Sequence, residues 1–167
     1  MRLPRHRHVR RSMVALAWLG AVGIGGCGNA DFAAVKAYKV FLEDAKPSLQ
    51  KMNSVREQLF LVESPEEMLG KFRDELLPEV DRLAKLAKDH PDPEVKKLKT
   101  IHSTLRSVMQ RYSEATARLV EELEKATKDE EREKALVTWG EADGKFGSDM
   151  AALVEELEQY LDKLRKG

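Results

Sequence analysis

The feature that most limits what this chain can fold into is the spacing of its apolar residues. From Val35 they recur in alternating steps of three and four: Val35, Tyr38, Leu42, Ala45, Leu49, Met52 and Leu59, with Arg56 interrupting once. Steps averaging 3.5 keep one stripe of an α-helix apolar and would scatter the same residues over both faces of a strand. The pattern therefore predicts an amphipathic helix over about 30–62. Three further segments repeat it. Leu69, Phe72, Leu76, Val80, Leu83 and Ala87 mark a second helix at about 65–89. Val95, Leu98, Leu105, Met109, Tyr112, Leu119 and Leu123 mark a third at about 93–127. Leu136, Trp139, Phe146, Met150, Leu153, Leu157, Tyr160 and Leu164 mark a fourth at about 130–165. No stretch alternates with period two, and no Asn-Gly or Asp-Gly turn joins β-branched runs.

The boundaries carry their own signals. In Ser64-Pro65-Glu66-Glu67, Ser64 can cap, Pro65 suits the first helical position and Glu67 completes a capping box. Asp92-Pro93-Glu94 repeats that logic with Asp92 as cap, and Thr127-Lys128-Asp129-Glu130 offers a second box. Short links favour antiparallel neighbours. The expected fold is all-α, an antiparallel up-down-up-down four-helix bundle with heptad-like seams. The alternative is a three-helix coiled-coil-like bundle with a loose tail. Heptad seams serve monomers and oligomers alike, so an oligomer stays open.

Several residues break the pattern. Pro47 and Pro78 fall inside helices, and counting from the turn near Glu63 puts them at one height, where both helices should bend. Counting from the turn near His90 puts His102, on the third seam, opposite Pro78. It reads either as a metal or haem ligand or as a core histidine bonded to a carbonyl that Pro78 frees. Gly140, Gly144 and Gly147 each cost a helix roughly 1 kcal/mol relative to Ala. They read as a local unwinding, a small-residue face for a partner helix, or close packing inside the bundle. Asp143, on the fourth seam, faces Tyr112.

The chain before these helices has a different character. Its first dozen residues hold Arg2, Arg5, Arg7, Arg10 and Arg11 and no acid, and an apolar run over 13–24 follows. That run is too short to span a bilayer, which takes ~20 residues, and fits the core of a secretory signal peptide. Arg10-Arg11 leaves twin-arginine export open beside ordinary secretion. The run ends in Ile24-Gly25-Gly26-Cys27. This resembles the lipobox of bacterial lipoproteins, in which an aliphatic residue and two small ones precede a cysteine. The resemblance implies a diacylglyceryl group on the Cys27 sulfur, cleavage after Gly26 and an acyl chain, such as palmitate, on the new N-terminus. Residues 1–26 are then a removed signal peptide, 27–30 a lipidated tether and 31–167 the bundle. By analogy with the sorting rule of enteric bacteria, Gly28 in place of Asp favours the outer membrane of the envelope.

Cys27 is the only cysteine, so an intramolecular disulfide scaffold and Cys-rich metal sites are excluded. The whole chain balances 29 basic against 29 acidic residues, but five arginines leave with the signal. The remaining 24 against 29 give a mature net charge of −5, a poor start for nucleic-acid binding. No Glu-x-x-His pair, haem-attachment motif, nucleophile elbow or P-loop is present, and the methionines are dispersed. The expectation is no enzyme and no cofactor or metal beyond the covalent lipid.

The expected second helix is some ten residues shorter than the third and fourth. Aligned at the anchored end, those two would project and leave Leu119, Val120, Leu123, Leu136 and Trp139 half covered as a partner surface. The accessible area of Trp139 decides it: a nearly fully buried ring would remove that picture. The expected function is that of a membrane-anchored envelope lipoprotein, a structural or protein-interaction module with another envelope protein as partner. The alternative is a carrier of a small apolar ligand or lipid, with a cavity near the glycines or the two prolines.

Overall fold

A computed structural model of the chain describes residues 30–59 and 61–166. Ile24, Gly25, Gly26 and Cys27, and with them the signal peptide and its processing site, lie outside the described residues. Four helices pack against one another: α1 (Ala30–Leu59), α2 (Pro65–Asp89), α3 (Lys96–Lys125) and α4 (Asp129–Lys166). No strand occurs among the described residues. Cross-helix pairs such as Lys51–Glu79 with Lys71–Gln58, Arg106–Ala87 with Ser113–Asp81, and Lys97–Glu156 with Arg111–Asp149 show that successive helices run antiparallel. α4 packs along α3 instead of trailing as a tail. The four seams meet in one apolar core that runs from Val35 and Leu161 at one end to Leu123 and Leu136 at the other.

Capping chemistry explains where the helices start. Ser64 Oγ accepts from the Glu67 N–H at 3.3 Å and donates to Glu66 at 3.0 Å, with Pro65 in the first turn. At α4 the carboxylate of Glu131, not Glu130, accepts from the N–H groups of Thr127 (2.9 Å) and Lys128 (3.2 Å). The third helix departs from expectation. Asp92 does not cap it, because its carboxylate is held by Arg106 at 3.0 Å and Lys99 at 3.1 Å. The chain stays non-helical to Val95, and α3 begins at Lys96.

That longer link shifts the pairing of α2 with α3. Ser113 donates to Asp81, and Arg106 Nε donates to the Ala87 carbonyl at 3.1 Å. His102 consequently lies against the C-terminal end of α2, not opposite Pro78. The two prolines are not level either. Lys51 pairs with Glu79 at 2.8 Å and Lys71 with Gln58 at 2.9 Å, which sets Pro78 about one turn beyond Pro47. Their local effects differ as well. α1 stays α-helical through Pro47. Before Pro78, α2 widens into a π-helical segment, Lys71–Leu76, in which the Leu77 N–H reaches back five residues to Phe72 O. Pro78 has no N–H for the carbonyl four residues back and its ring crowds that carbonyl, so the preceding turn opens.

The helix lengths also correct the expected stagger. α2 spans 25 residues against 30 in α3 and 38 in α4, so the shortfall is half of the expected ten against α3 and larger than expected against α4. Its start packs level with the α3–α4 turn, where Pro65 and Met68 meet Leu123 and Leu136. The helices thus align at this tip. The extra length of α4 falls at the opposite end, where Lys97 near the start of α3 pairs with Glu156 and the final ten residues run on about 15 Å.

Candidate functional site

The residues expected to form an exposed partner surface are interior. Leu119, Val120, Leu123, Leu136 and Trp139 are all buried, and the Trp139 ring keeps only 4% of its surface. The start of α2 covers them: Phe72 meets the indole edge-on at 4.8 Å. The indole N–H donates to Thr116 Oγ1 at 3.3 Å, and that hydroxyl donates in turn to the Tyr112 carbonyl at 2.9 Å. The absence of stagger at the tip is the physical reason the predicted surface does not exist.

Neither unwinding nor close packing inside the bundle accounts for Gly140 and Gly144. α4 does not unwind at them. A methyl group built on Gly140 or Gly144 would meet no atom within 4 Å, so neither is held small by close packing. They sit one residue after the seam positions Trp139 and Asp143, and Gly144 faces solvent.

Two polar clusters lie inside the bundle. In the first, Arg56 of α1 crosses to α4 and places Nη2 2.7 Å from Asp143 Oδ1 and 2.8 Å from Oδ2. The Tyr112 hydroxyl of α3 donates to Oδ1 at 2.7 Å, as the seam arithmetic predicted for that pair. Arg56 and Asp143 each retain 6% of their surface. Tyr112 stacks on Phe146 at 4.1 Å, and the guanidinium lies 5.7 Å from the same ring. Burial opposes the Arg56 charge, but Tyr112 and Asp143 outweigh it and raise the pKa. Burial likewise drives the Tyr112 phenol well above its ordinary range, Arg56 opposing and Asp143 adding. With both carboxylate oxygens occupied and the group sealed, the arrangement ties three helices together and presents no open oxygen to a substrate. The only trace of Arg56 in the sequence is its interruption of the first seam.

The second cluster is at the other end. His102, fully buried, takes a hydrogen bond between Nδ1 and the Tyr38 hydroxyl at 3.2 Å. The His90 ring lies 5.1 Å from it and 4.6 Å from Phe41. Arg106 clamps the adjoining link, donating to the carbonyls of Ala87 and His90 and to Asp92. Burial first and Arg106 second lower the pKa of both histidines. His90 adds to this for His102, whereas Asp44 opposes it for His90 and the Ala87 and His90 carbonyls oppose it for His102. His102 is thus a core histidine with a phenol partner, and the carbonyls near it belong to the end of α2, not to the turn before Pro78. Among the described residues, no group of three or more His, Cys, Asp or Glu comes together as a metal-ligand set. Among the same residues, no helix is long and apolar enough to cross a membrane.

The third feature lies at the tip. A cavity of about 70 Å³, open to solvent, is floored by Met68, Leu69, Leu123 and Leu136 and edged by Glu63, Glu66 and Arg132. Nearby, Leu61 on the α1–α2 turn leaves 81% of its surface exposed.

No protein-family model, curated protein or solved structure matches the chain.

Proposed function

We propose that the chain is a lipid-anchored protein of a bacterial envelope whose bundle acts as a structural or protein-binding module, without chemistry of its own. One observation carries this reading. The single cysteine, Cys27, follows Ile24-Gly25-Gly26 after a basic and then apolar leader, and α1 begins at Ala30. Three residues at ~3.5 Å each make a tether on the order of 10 Å, so the bundle stands against the membrane surface. The outer membrane is the favoured address because Gly28, not Asp, follows the cysteine. On this arrangement the 90–95 link and the C-terminus of α4 lie at the anchored end. The cup between the two other turns lies at the far end and faces away from the lipid.

The Arg56–Asp143–Tyr112 cluster is sealed and offers a substrate no open oxygen, which favours binding over catalysis. The carrier alternative gains nothing from the places expected to hold its cavity. Arg56, Asp143, Tyr112 and Phe146 fill the level of the glycines, and Ser48, Leu49, Met52 and Val80 are buried near the prolines. The cup at the tip falls well short of the ~300 Å³ of a small-molecule site.

Fractionation tests the proposal. In envelopes fed an alkyne palmitate analogue, the wild-type protein should carry label and sediment with membranes. Cys27→Ala should lose the label and stay unprocessed. Unlabelled wild type recovered in the soluble fraction refutes the anchor.

A further inference from the structure

We infer that the tip of the bundle, the cup between the α1–α2 turn and the start of α4, docks a basic segment of a partner protein that inserts one aliphatic side chain. This rests on the binding-module reading above, though not on the lipid.

Size comes first. About 70 Å³ exceeds the ~10–15 Å³ that holds one water and is less than the ~150 Å³ that accepts a benzene. The cup therefore suits the end of an aliphatic side chain better than a ring or a metabolite. Its floor is apolar, so water gains little by staying there. An exposed leucine alone would need no explanation. Leu61, however, stands on the α1–α2 turn two residues before the rim residue Glu63, exposed at the same end of the bundle as the cup.

Charge then selects the partner. The residues forming this end, 57–71 and 118–134, hold eleven Asp or Glu against six Lys or Arg. Their net −5 equals the net charge of the whole chain from residue 27 onward. Glu63 and Glu66 on the rim are exposed, and the Glu66 backbone N–H first and Ser64 second, with Arg132 adding less, hold the Glu66 carboxyl below its usual range. Arg132 on the same rim is already engaged by Asp129 at 3.0 Å and by the Ala126 carbonyl. A field of one sign steers and retains cations. It repels anionic lipid headgroups and nucleic acid, and it opposes a second copy of the same tip. A protein segment that sets Lys or Arg around a Leu, Ile or Val satisfies both the cup and its rim.

The test titrates the full chain with a short labelled helical peptide of Leu and Lys, its Leu and Glu counterpart, and phosphatidylglycerol vesicles. Amide shifts map the contact. The Leu/Lys helix should bind, with shifts confined to 61–69, the end of α3 around Leu123 and the stretch of α4 up to Leu136, and raising the salt to about 0.5 M should weaken it about tenfold. Leu61→Gln and Glu63→Lys should each weaken it about tenfold. Val40→Gln, exposed far from the tip, should leave it unchanged. The Leu/Glu helix and the vesicles should not bind the tip. Failure of the Leu/Lys helix to bind, shifts elsewhere, unaffected variants, vesicle binding or tip-to-tip self-association each overturns the inference. All leave the lipidation result at Cys27 untouched.

Discussion

Replacing Asp143 by leucine puts the sealed Arg56–Asp143–Tyr112 cluster to a direct test. The substitution removes both acceptors of Arg56 Nη2 and the acceptor of the Tyr112 hydroxyl in one step. Arg56 is nine-tenths buried, so its charge would stay in the core with Asn53 Oδ1, 3.3 Å from Nη1, as its remaining hydrogen-bond acceptor. Breaking one side of a buried pair costs about 3–5 kcal/mol. The orphaned phenol adds about 1 kcal/mol, partly counted already. A loss of about 4 kcal/mol follows. With a urea m-value of about 2 kcal/mol/M, the unfolding midpoint followed by helical circular dichroism should fall about 2 M. The matching triple variant, Asp143→Leu with Arg56→Met and Tyr112→Phe, leaves no orphaned group and fills similar volume. It should return to within about 1 kcal/mol of the wild type, or exceed it. A single variant that loses less than about 1 kcal/mol, or a triple variant as unstable as the single one, would refute the reasoning.

Other consequences are simpler to check. Gly140→Ala and Gly144→Ala should each raise stability by about 1 kcal/mol, since the added methyl meets nothing and the helix gains propensity; a lower urea midpoint would show that those positions are packed. Trp139 is the only tryptophan after residue 26, so its emission should be blue-shifted and poorly quenched by acrylamide, and an exposed spectrum would restore the discarded partner surface. Buried His102 and half-buried His90 both have pKa values below the ordinary 6.5 in the folded protein. The unfolded chain therefore binds more protons as pH falls below about 6.5, and stability present above that pH is lost on the way down through the folded pKa values. The midpoint should drop between about pH 7 and 5, and His102→Gln should flatten the drop; an unchanged slope would place the histidines in solvent.

The helices were legible because burial imposes its own period. A residue every three or four positions must be apolar if one stripe faces a core, and four such stripes stand out against a charged background. Register was not legible, because it depends on how many residues each link leaves outside the helices. Asp92 and Pro93 look like a helix start. Yet Arg106, fourteen residues on, takes the Asp92 carboxylate and delays α3 to Lys96. That shift moved His102 away from Pro78 and toward His90, a pairing that spacing alone could not reveal. The same shift shortened α3 and removed the overhang that would have exposed Trp139. Arg56 was hidden for a different reason. A charge on a seam reads as a flaw until its partner is known, and Asp143 lies 87 residues away. The glycines mislead because one residue turns a helix by about 100°, which separates the core seam at Trp139 and Asp143 from the open flank at Gly140 and Gly144. The tip combines two separate stretches of the sequence, 57–71 and 118–134, so its acidity emerges only when the two turns are brought together.

The intact mass of the protein purified from host membranes tests the central proposal most directly. A lipid-anchored bundle predicts a polypeptide that begins at Cys27, carries a diacylglyceryl thioether and an N-acyl chain, and has lost residues 1–26. A chain that retains Gly26, or one that begins at Cys27 with an unmodified thiol, would contradict it.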